Sequence, residues 1–345
     1  MIVPGALQEC LDDWRVRSRA PGVSAAVRID GDLCWSGNSS DEPFPSTARF
    51  PIYSITKTLT SISALRLHEA GQLPVASKVA RWLPDLSLPP SITVGHLLQH
   101  TSGIGDYGSL REYHEAVRTR PSQPWDDQQF IDAVLPRGLL FEPGGGWAYS
   151  NIGYMLLRLI LEKATGESFQ QCVYDLVISP LGLRDTFVAE DLEDWSTCVP
   201  GYGTEVNPSG KPVDIRPVYH PGWCATGVAV STAEETTAIF DALFGGELLS
   251  DSALEMMITL VRVPGSHPPA VTPSCGMGIL ADPDSPFGAS YGHGGGGPGY
   301  SLDVTVLPKS ALGRLSIATF VSTSNGPTAE AAAAELKQQL FGDAA

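Results

Sequence analysis

A serine stands three residues before a lysine at Ser54-Ile55-Thr56-Lys57, opening the stretch "SITKTLTSISALRLHEAG". A serine hydroxyl is a weak nucleophile until a base removes its proton. Positions i and i+3 share one face of a helix, so the lysine amine can reach the hydroxyl. A helix start adds free backbone N–H groups and a partial positive charge, both of which favour an oxyanion beside Ser54. The competing reading makes Ser54 a helix cap and Lys57 a solvated surface charge. With six lysines and 32 serines in the chain, chance alone supplies about half an S-x-x-K, so this motif does not decide the matter by itself.

Two further groupings bear on it. Tyr149-Ser150-Asn151 follows a glycine-rich loop in "FEPGGGWAYSNIGYMLL" and opens a helix. A tyrosine held near a lysine ammonium can relay protons to or from a leaving group, and an asparagine amide can orient the lysine or a substrate amide. Alternatively, Asn151 caps the helix and Tyr149 is an aromatic at a loop end. The third grouping is "YGHGGGGPGYSLDVTVLP", residues 291–308. A glycine run before a strand lets a substrate approach bare backbone and can offer an oxyanion-hole N–H. His293 stands over it as the polar side chain. A plain glycine turn with an incidental histidine fits the same letters.

The elements that must position these groups are legible in outline. Residues 4–19 read as an amphipathic helix. "VSAAVRI" (23–29), the turn Asp30-Gly31 and "LCWSG" (33–37) read as a β-hairpin. Residues 54–70 predict a helix with an apolar stripe, ended by Gly71. Residues 151–166 and 231–246 predict further helices, the latter with Ser231 or Thr232 at its N-cap. Strands return at 301–308 and 315–323, and a helix over 329–342 follows. The fold class is therefore α/β in the α+β sense. It comprises an antiparallel sheet flanked by N- and C-terminal helices, with a large, mostly helical insertion. On this reading residues 1–60 and 270–345 form the sheet subdomain and 61–269 the helical one. The active site lies at their interface, walled by 105–125 and 200–225.

Taken together and in this order, the three groupings resemble those of the serine β-lactamase and penicillin-binding-protein superfamily, in its class C β-lactamase-like branch of esterases, D-amino-acid peptidases and acyltransferases. The similarity also runs through "LLQHTSGI" (97–104), "FEPGGGWAYSNIGY" (141–154), "ISPLGLRDT" (178–186), "GWCATGVAVSTAEE" (222–235) and "YGHGGGGPGY" (291–300), and covers about residues 10–340. The resemblance implies acyl transfer through a covalent acyl-enzyme. Ser54 is the nucleophile, Lys57 its base, and Tyr149 the second acid or base. The N–H groups of Ser54 and Gly296, after His293-Gly294-Gly295, form the oxyanion hole. Asn151 supports Lys57 and substrate, while His293 assists Tyr149 or touches substrate.

The family's third motif is often K-T-G, whose lysine recognises a substrate carboxylate. No K-[ST]-G occurs in this chain. That departure argues against β-lactam hydrolysis and D-Ala-D-Ala chemistry, and favours a small-molecule ester or amide as substrate. The acyl group then passes to water, or to an amine or alcohol acceptor in a biosynthetic transacylase. A D-amino-acid-type peptidase or amidase, a β-lactamase, and a catalytically inactive binding protein are the alternatives.

Other chemistries fit poorly. "GASYG" (288–292) matches G-x-S-x-G, but "HGGGGPG" follows it where that motif needs a helix. The seven histidines give one H-x-x-x-H spacing, His96 to His100, but no H-E-x-x-H; no metal is expected, and His100 in "HTSG" reads as a residue that fixes a loop. No phosphate-loop or dinucleotide fingerprint is present, so no organic cofactor is implied.

The 345 residues are 43% hydrophobic and 17% charged, enough for a large core, and carry a net charge of −16. Such a charge disfavours nucleic acid and anionic membrane surfaces. No stretch approaches the roughly 18 apolar residues of a membrane span. The start, "MIVPGALQECLDDWRVRSR", lacks a basic segment followed by an apolar run. The six scattered cysteines read as free thiols, so a cytoplasmic location is expected.

Overall fold

The structure is a computed structural model that describes residues 3–45 and 47–342. The chain opens on helix α1 (Pro4–Ser18), whose buried Leu7, Leu11 and Trp14 recur at helical spacing on one face. A hairpin of β1 (Gly22–Ile29) and β2 (Asp32–Ser40) follows. Asp30 and Gly31 turn it with φ +49° and +96°, the left-handed pair that a two-residue hairpin turn requires.

Six more strands complete the main sheet: β3 (Val261–Arg262), β4 (Ser274–Cys275), β5 (Leu280–Asp282), β6 (Ser290–Gly297), β7 (Tyr300–Ser310) and β8 (Gly313–Val321). The order across the sheet is β2-β1-β8-β7-β6-β5-β4-β3, antiparallel throughout. The N-terminal hairpin joins the C-terminal strands through β1 and β8, in a register from Val23↔Val321 to Ile29↔Leu315. This is the expected antiparallel sheet built from distant parts of the chain.

Helices cover both faces, so the central strands are apolar on both sides. On β8, Leu315, Ile317 and Val321 join α1 and the C-terminal helix (Ala329–Phe341) in one core, while Ala318 and Phe320 face the larger core opposite. The helix Ala233–Phe244 falls within the stretch expected to be the helical insertion, yet it packs against β1 and β8. Its N-cap is Thr232, which accepts from the Glu235 N–H at 3.1 Å.

Three local expectations change. The glycine run does not precede a strand: residues 293–297 are themselves part of β6, paired His293↔Val304 through Gly297↔Tyr300. Glycines carry no β-branched signal, so only pairing with apolar β7 identifies them as strand. The short strands β3 to β5 carry too few residues to show a period of two. The helix after Ser54 begins at Thr56 and runs to Glu69, and it is not a half-exposed striped helix. Every residue from Thr56 to Leu65 is buried. Its hydroxyls allow this by bonding internally: Thr60 donates to the Thr56 carbonyl at 3.1 Å, Ser63 to Leu59 at 2.9 Å, and Thr58 to Gly278 at 2.7 Å. None of the six cysteines is in a disulfide.

Candidate active site

Ser54 is presented by a strained turn. Phe50 and Pro51 pair with Ser231 and Val230, and the Ile52 N–H continues this with a bond to the Ala229 carbonyl at 2.8 Å. Tyr53 then adopts φ +42°, a conformation that costs a bulky L-residue energy and persists only when its surroundings fix it. Here its hydroxyl donates to the Pro298 carbonyl at 2.6 Å, and its ring lies against Gly297. A 3₁₀ turn over Tyr53–Ile55 delivers the chain into the buried helix Thr56–Glu69.

Ser54 makes no capping hydrogen bond to this turn or helix. Its Oγ instead accepts from Lys57 Nζ at 3.1 Å. Lys57 is 1% exposed, which removes the solvated-charge reading, and it forms no salt bridge with the described residues. Its ammonium lies 4.9 Å from the Tyr149 ring centroid and 5.6 Å from that of Tyr154. Aromatic faces thus supply part of the stabilisation that burial removes.

Tyr149 is held by His100. The two rings are 4.4 Å apart at 31°. His100 sits at φ +59°. Its carbonyl accepts the Ala148 N–H at 3.0 Å and its Nδ1 accepts the Ser150 N–H at 3.1 Å. One residue therefore grips the backbone on both sides of Tyr149, the loop-fixing role expected of it. Burial, then Lys57, hold His100 well below the usual imidazole range, so it is neutral with its proton on Nε2.

His293 is also buried and neutral. Burial first, then Lys57, push it down to about 4. Its Nδ1–H donates to the Gly294 carbonyl at 2.6 Å, which leaves Nε2 as an unprotonated acceptor. Its ring centroid is 6.3 Å from that of Tyr149. Where the K-T-G pattern would place a cation, this chain places a neutral acceptor.

Asn151 does not cap its helix. The cap is Ser150, whose Oγ accepts the Gly153 N–H at 3.1 Å. Asn151 is the first helical residue, and both its backbone N–H (2.8 Å) and its Nδ2 (3.1 Å) donate to Asp106. No hydrogen bond joins it to Lys57. Asp106 was invisible to sequence reasoning because a lone aspartate in a loop carries no pattern. Burial raises its carboxyl, opposed by the hydrogen bond from the Asn151 backbone and by Lys57.

The glycines of β6 explain how the strand approaches the serine. A Cβ on Gly295 would lie 2.6 Å from the Ile52 carbonyl oxygen, and one on Gly297 would lie 2.5 Å from the Tyr53 ring. Gly296 points the other way, into open space. Ser54, Lys57, Asn151 and Gly296 line one cavity of about 470 Å³, walled by Tyr107, Tyr113, Glu205, Tyr219 and Trp223 among others. These walls come from 105–125 and 200–225. Tyr149 and His293 stand behind this lining, next to Lys57. Among the described residues no cluster of three or more His, Cys, Asp or Glu is placed to hold a metal ion, and no helix is long and apolar enough to cross a membrane.

The chain is 29% identical to penicillin-binding protein 4* of Bacillus subtilis over 278 residues, covering 75% of this chain and 58% of that protein. It is 30% identical to esterase EstB of Burkholderia gladioli over 193 residues, 51% of this chain and 49% of that one. The chain thus spans about half the length of these curated relatives. The crystal structure of a D-stereospecific amidohydrolase from Streptomyces superposes with a TM-score of 0.85 at 27% identity, covering 99% of both chains. The family model for beta-lactamase matches residues 6–341, and with nearly the whole length accounted for, the chain belongs to the beta-lactamase family, within the serine β-lactamase and penicillin-binding-protein superfamily.

Proposed function

We propose that the protein is a serine hydrolase or acyltransferase that acts on small esters or amides through an acyl-enzyme on Ser54. The observation that carries this reading is the buried Lys57 amine 3.1 Å from Ser54 Oγ at the wall of a cavity of ligand size. In its neutral form Lys57 accepts the Ser54 proton as Oγ bonds to the substrate carbonyl carbon. The N–H groups of Ser54 and Gly296 take the oxyanion. The tetrahedral intermediate collapses, the bond to the leaving group breaks, and Tyr149 delivers the proton to that group. Water, an amine or an alcohol then attacks the acyl-enzyme and gives its proton to the deprotonated Tyr149; as the bond between Ser54 Oγ and the acyl carbon breaks, Lys57 returns its proton to Ser54. Ester hydrolysis or ATP-independent transfer to a small acceptor, in a biosynthetic role, is the preferred reading. The free cysteines support a reducing, cytoplasmic setting.

Amide hydrolysis is a second reading, favoured by the end-to-end likeness to the D-stereospecific amidohydrolase. Hydrolysis of β-lactams or peptides with a free carboxylate is disfavoured, because position 293 supplies no cation. Intact-mass analysis after mixing with p-nitrophenyl acetate tests the proposal. An acetyl adduct is expected on the wild type and absent from Ser54→Ala. Decay of the adduct in water marks a hydrolase, and decay only on adding an amine or alcohol marks a transacylase. No adduct with activated esters or a fluorophosphonate would leave a non-catalytic binding protein.

A further inference from the structure

The cavity wall carries a carboxylate that the acyl-transfer chemistry does not use. Glu205 lines the same cavity as Ser54 and is half-buried. It forms no salt bridge with any described residue. One of its oxygens accepts from Ser324 Oγ at 3.0 Å. The same Ser324 Oγ accepts the Gly299 N–H at 3.1 Å, two residues beyond Gly297 of β6. The carboxylate is thereby tied to the turn that ends the strand beside the serine. Its second oxygen takes no hydrogen bond from the described residues.

The surroundings favour a cation next to that oxygen. Apart from Lys57 and Glu205, the cavity lining holds no Lys, Arg, Asp or Glu. Tyr53, Tyr107, Tyr113, Tyr219, Trp223 and Tyr300 supply aromatic walls, and aromatic faces attract cations. Lys57 in the same lining bonds Ser54 and makes no salt bridge to Glu205, so the carboxylate is left to pair with a cation that enters the cavity. A chain with net charge −16 also concentrates cations at its surface.

We propose that Glu205 is the specificity-determining residue of the cavity and receives an ammonium group on the substrate. The preferred substrates are then amino-bearing esters or amides, such as amino-acid amides with a free amine. This rests on the acyl-enzyme reading for its place in a reaction, but amine binding can be measured without turnover.

The test uses Ser54→Ala protein, which binds without reacting, titrated with alaninamide and with neutral N-acetylalaninamide, followed by intrinsic tryptophan fluorescence. Both enantiomers of each ligand are measured. The Ser54→Ala protein should bind the cationic form of at least one enantiomer about tenfold or more tightly than its neutral counterpart, the scale of a charge-assisted hydrogen bond. Adding Glu205→Gln should abolish that preference while the neutral ligand still binds. The preference should shrink at high salt. Equal binding of charged and neutral ligands before the Glu205 change, survival of the preference after it, or loss of both ligands together would overturn the proposal. Failure of the acyl-enzyme reading appears separately, as no acetyl adduct on wild-type Ser54 in a protein that still prefers the amine.

Discussion

The Lys57 ammonium stands 4.9 Å from the centroid of the Tyr149 ring and makes no hydrogen bond to the Tyr149 hydroxyl. The ring and the hydroxyl of this tyrosine therefore do separable work. The ring packs against the buried Lys57 amine, and in the proposed mechanism the hydroxyl carries the proton. Tyr149→Phe keeps the ring over Lys57. It should lower kcat by roughly 10²–10⁴ with little change in melting temperature. Tyr149→Leu removes the ring as well and should cost a further ~1–2 kcal/mol of stability. Thermal melts beside steady-state assays separate the two, and equal loss of activity and stability in Tyr149→Phe would refute the division.

Ser54 contributes no capping hydrogen bond to the turn or helix it opens. Ser54→Ala should therefore retain the wild-type circular dichroism spectrum and melting temperature while losing acyl-enzyme formation entirely, as read by intact mass. Lys57→Met fills the same buried volume without the amine, and turnover should fall by roughly 10²–10⁴. Normal turnover in either variant would remove the mechanism.

Adjacent glycines in β6 should respond in opposite ways. Gly295→Ala drives a methyl to 2.6 Å from the Ile52 carbonyl oxygen. Strand and serine turn must then separate, at a cost of about 1–3 kcal/mol. Gly296→Ala meets nothing within 4 Å and should leave stability near wild type, with its effect confined to substrate. Chemical denaturation of the two variants decides this. Equal destabilisation would mean that the strand does not approach the turn as described.

Acid should destabilise the protein through His293. Its folded-state value lies near 4, below the ordinary ~6.5 of the unfolded chain. Between these limits the unfolded chain holds a proton that the folded protein does not, so stability rises with pH. The stabilisation is complete above about pH 6.5 and is lost as the pH falls towards 4, amounting to about 3 kcal/mol. His100, also held low by burial, acts in the same direction. Denaturation of wild type and His293→Gln from pH 7.5 to 4.5 should show a shallower pH dependence in the variant. Parallel curves would show that His293 does not carry this linkage.

The sequence by itself determined the chemistry-bearing residue types and their order, because S-x-x-K, Y-x-N and H-G-G are local patterns. It also determined the hairpin at Asp30-Gly31 and the helices near 4–19, 151–166, 231–246 and 329–342, where turn chemistry or apolar periodicity acts over a few residues. Only the tertiary structure decided what those residues do for one another. The cap reading of Ser54 falls because the strained Tyr53 turn leads into a helix to which Ser54 gives no capping bond. Lys57 could be solvated until the surrounding helices buried it against two aromatic rings. Asn151 yields the cap to Ser150 and turns to Asp106, a partner 45 residues away. The glycine run became a strand because β7 pairs with it, and its glycines are needed because Ile52 and Tyr53 lie against them. Asp106 and Glu205 carry no sequence pattern, since their settings are made by segments distant in the chain. Periodicity and spacing act within one element, whereas burial, pairing and charge neighbours are set between elements.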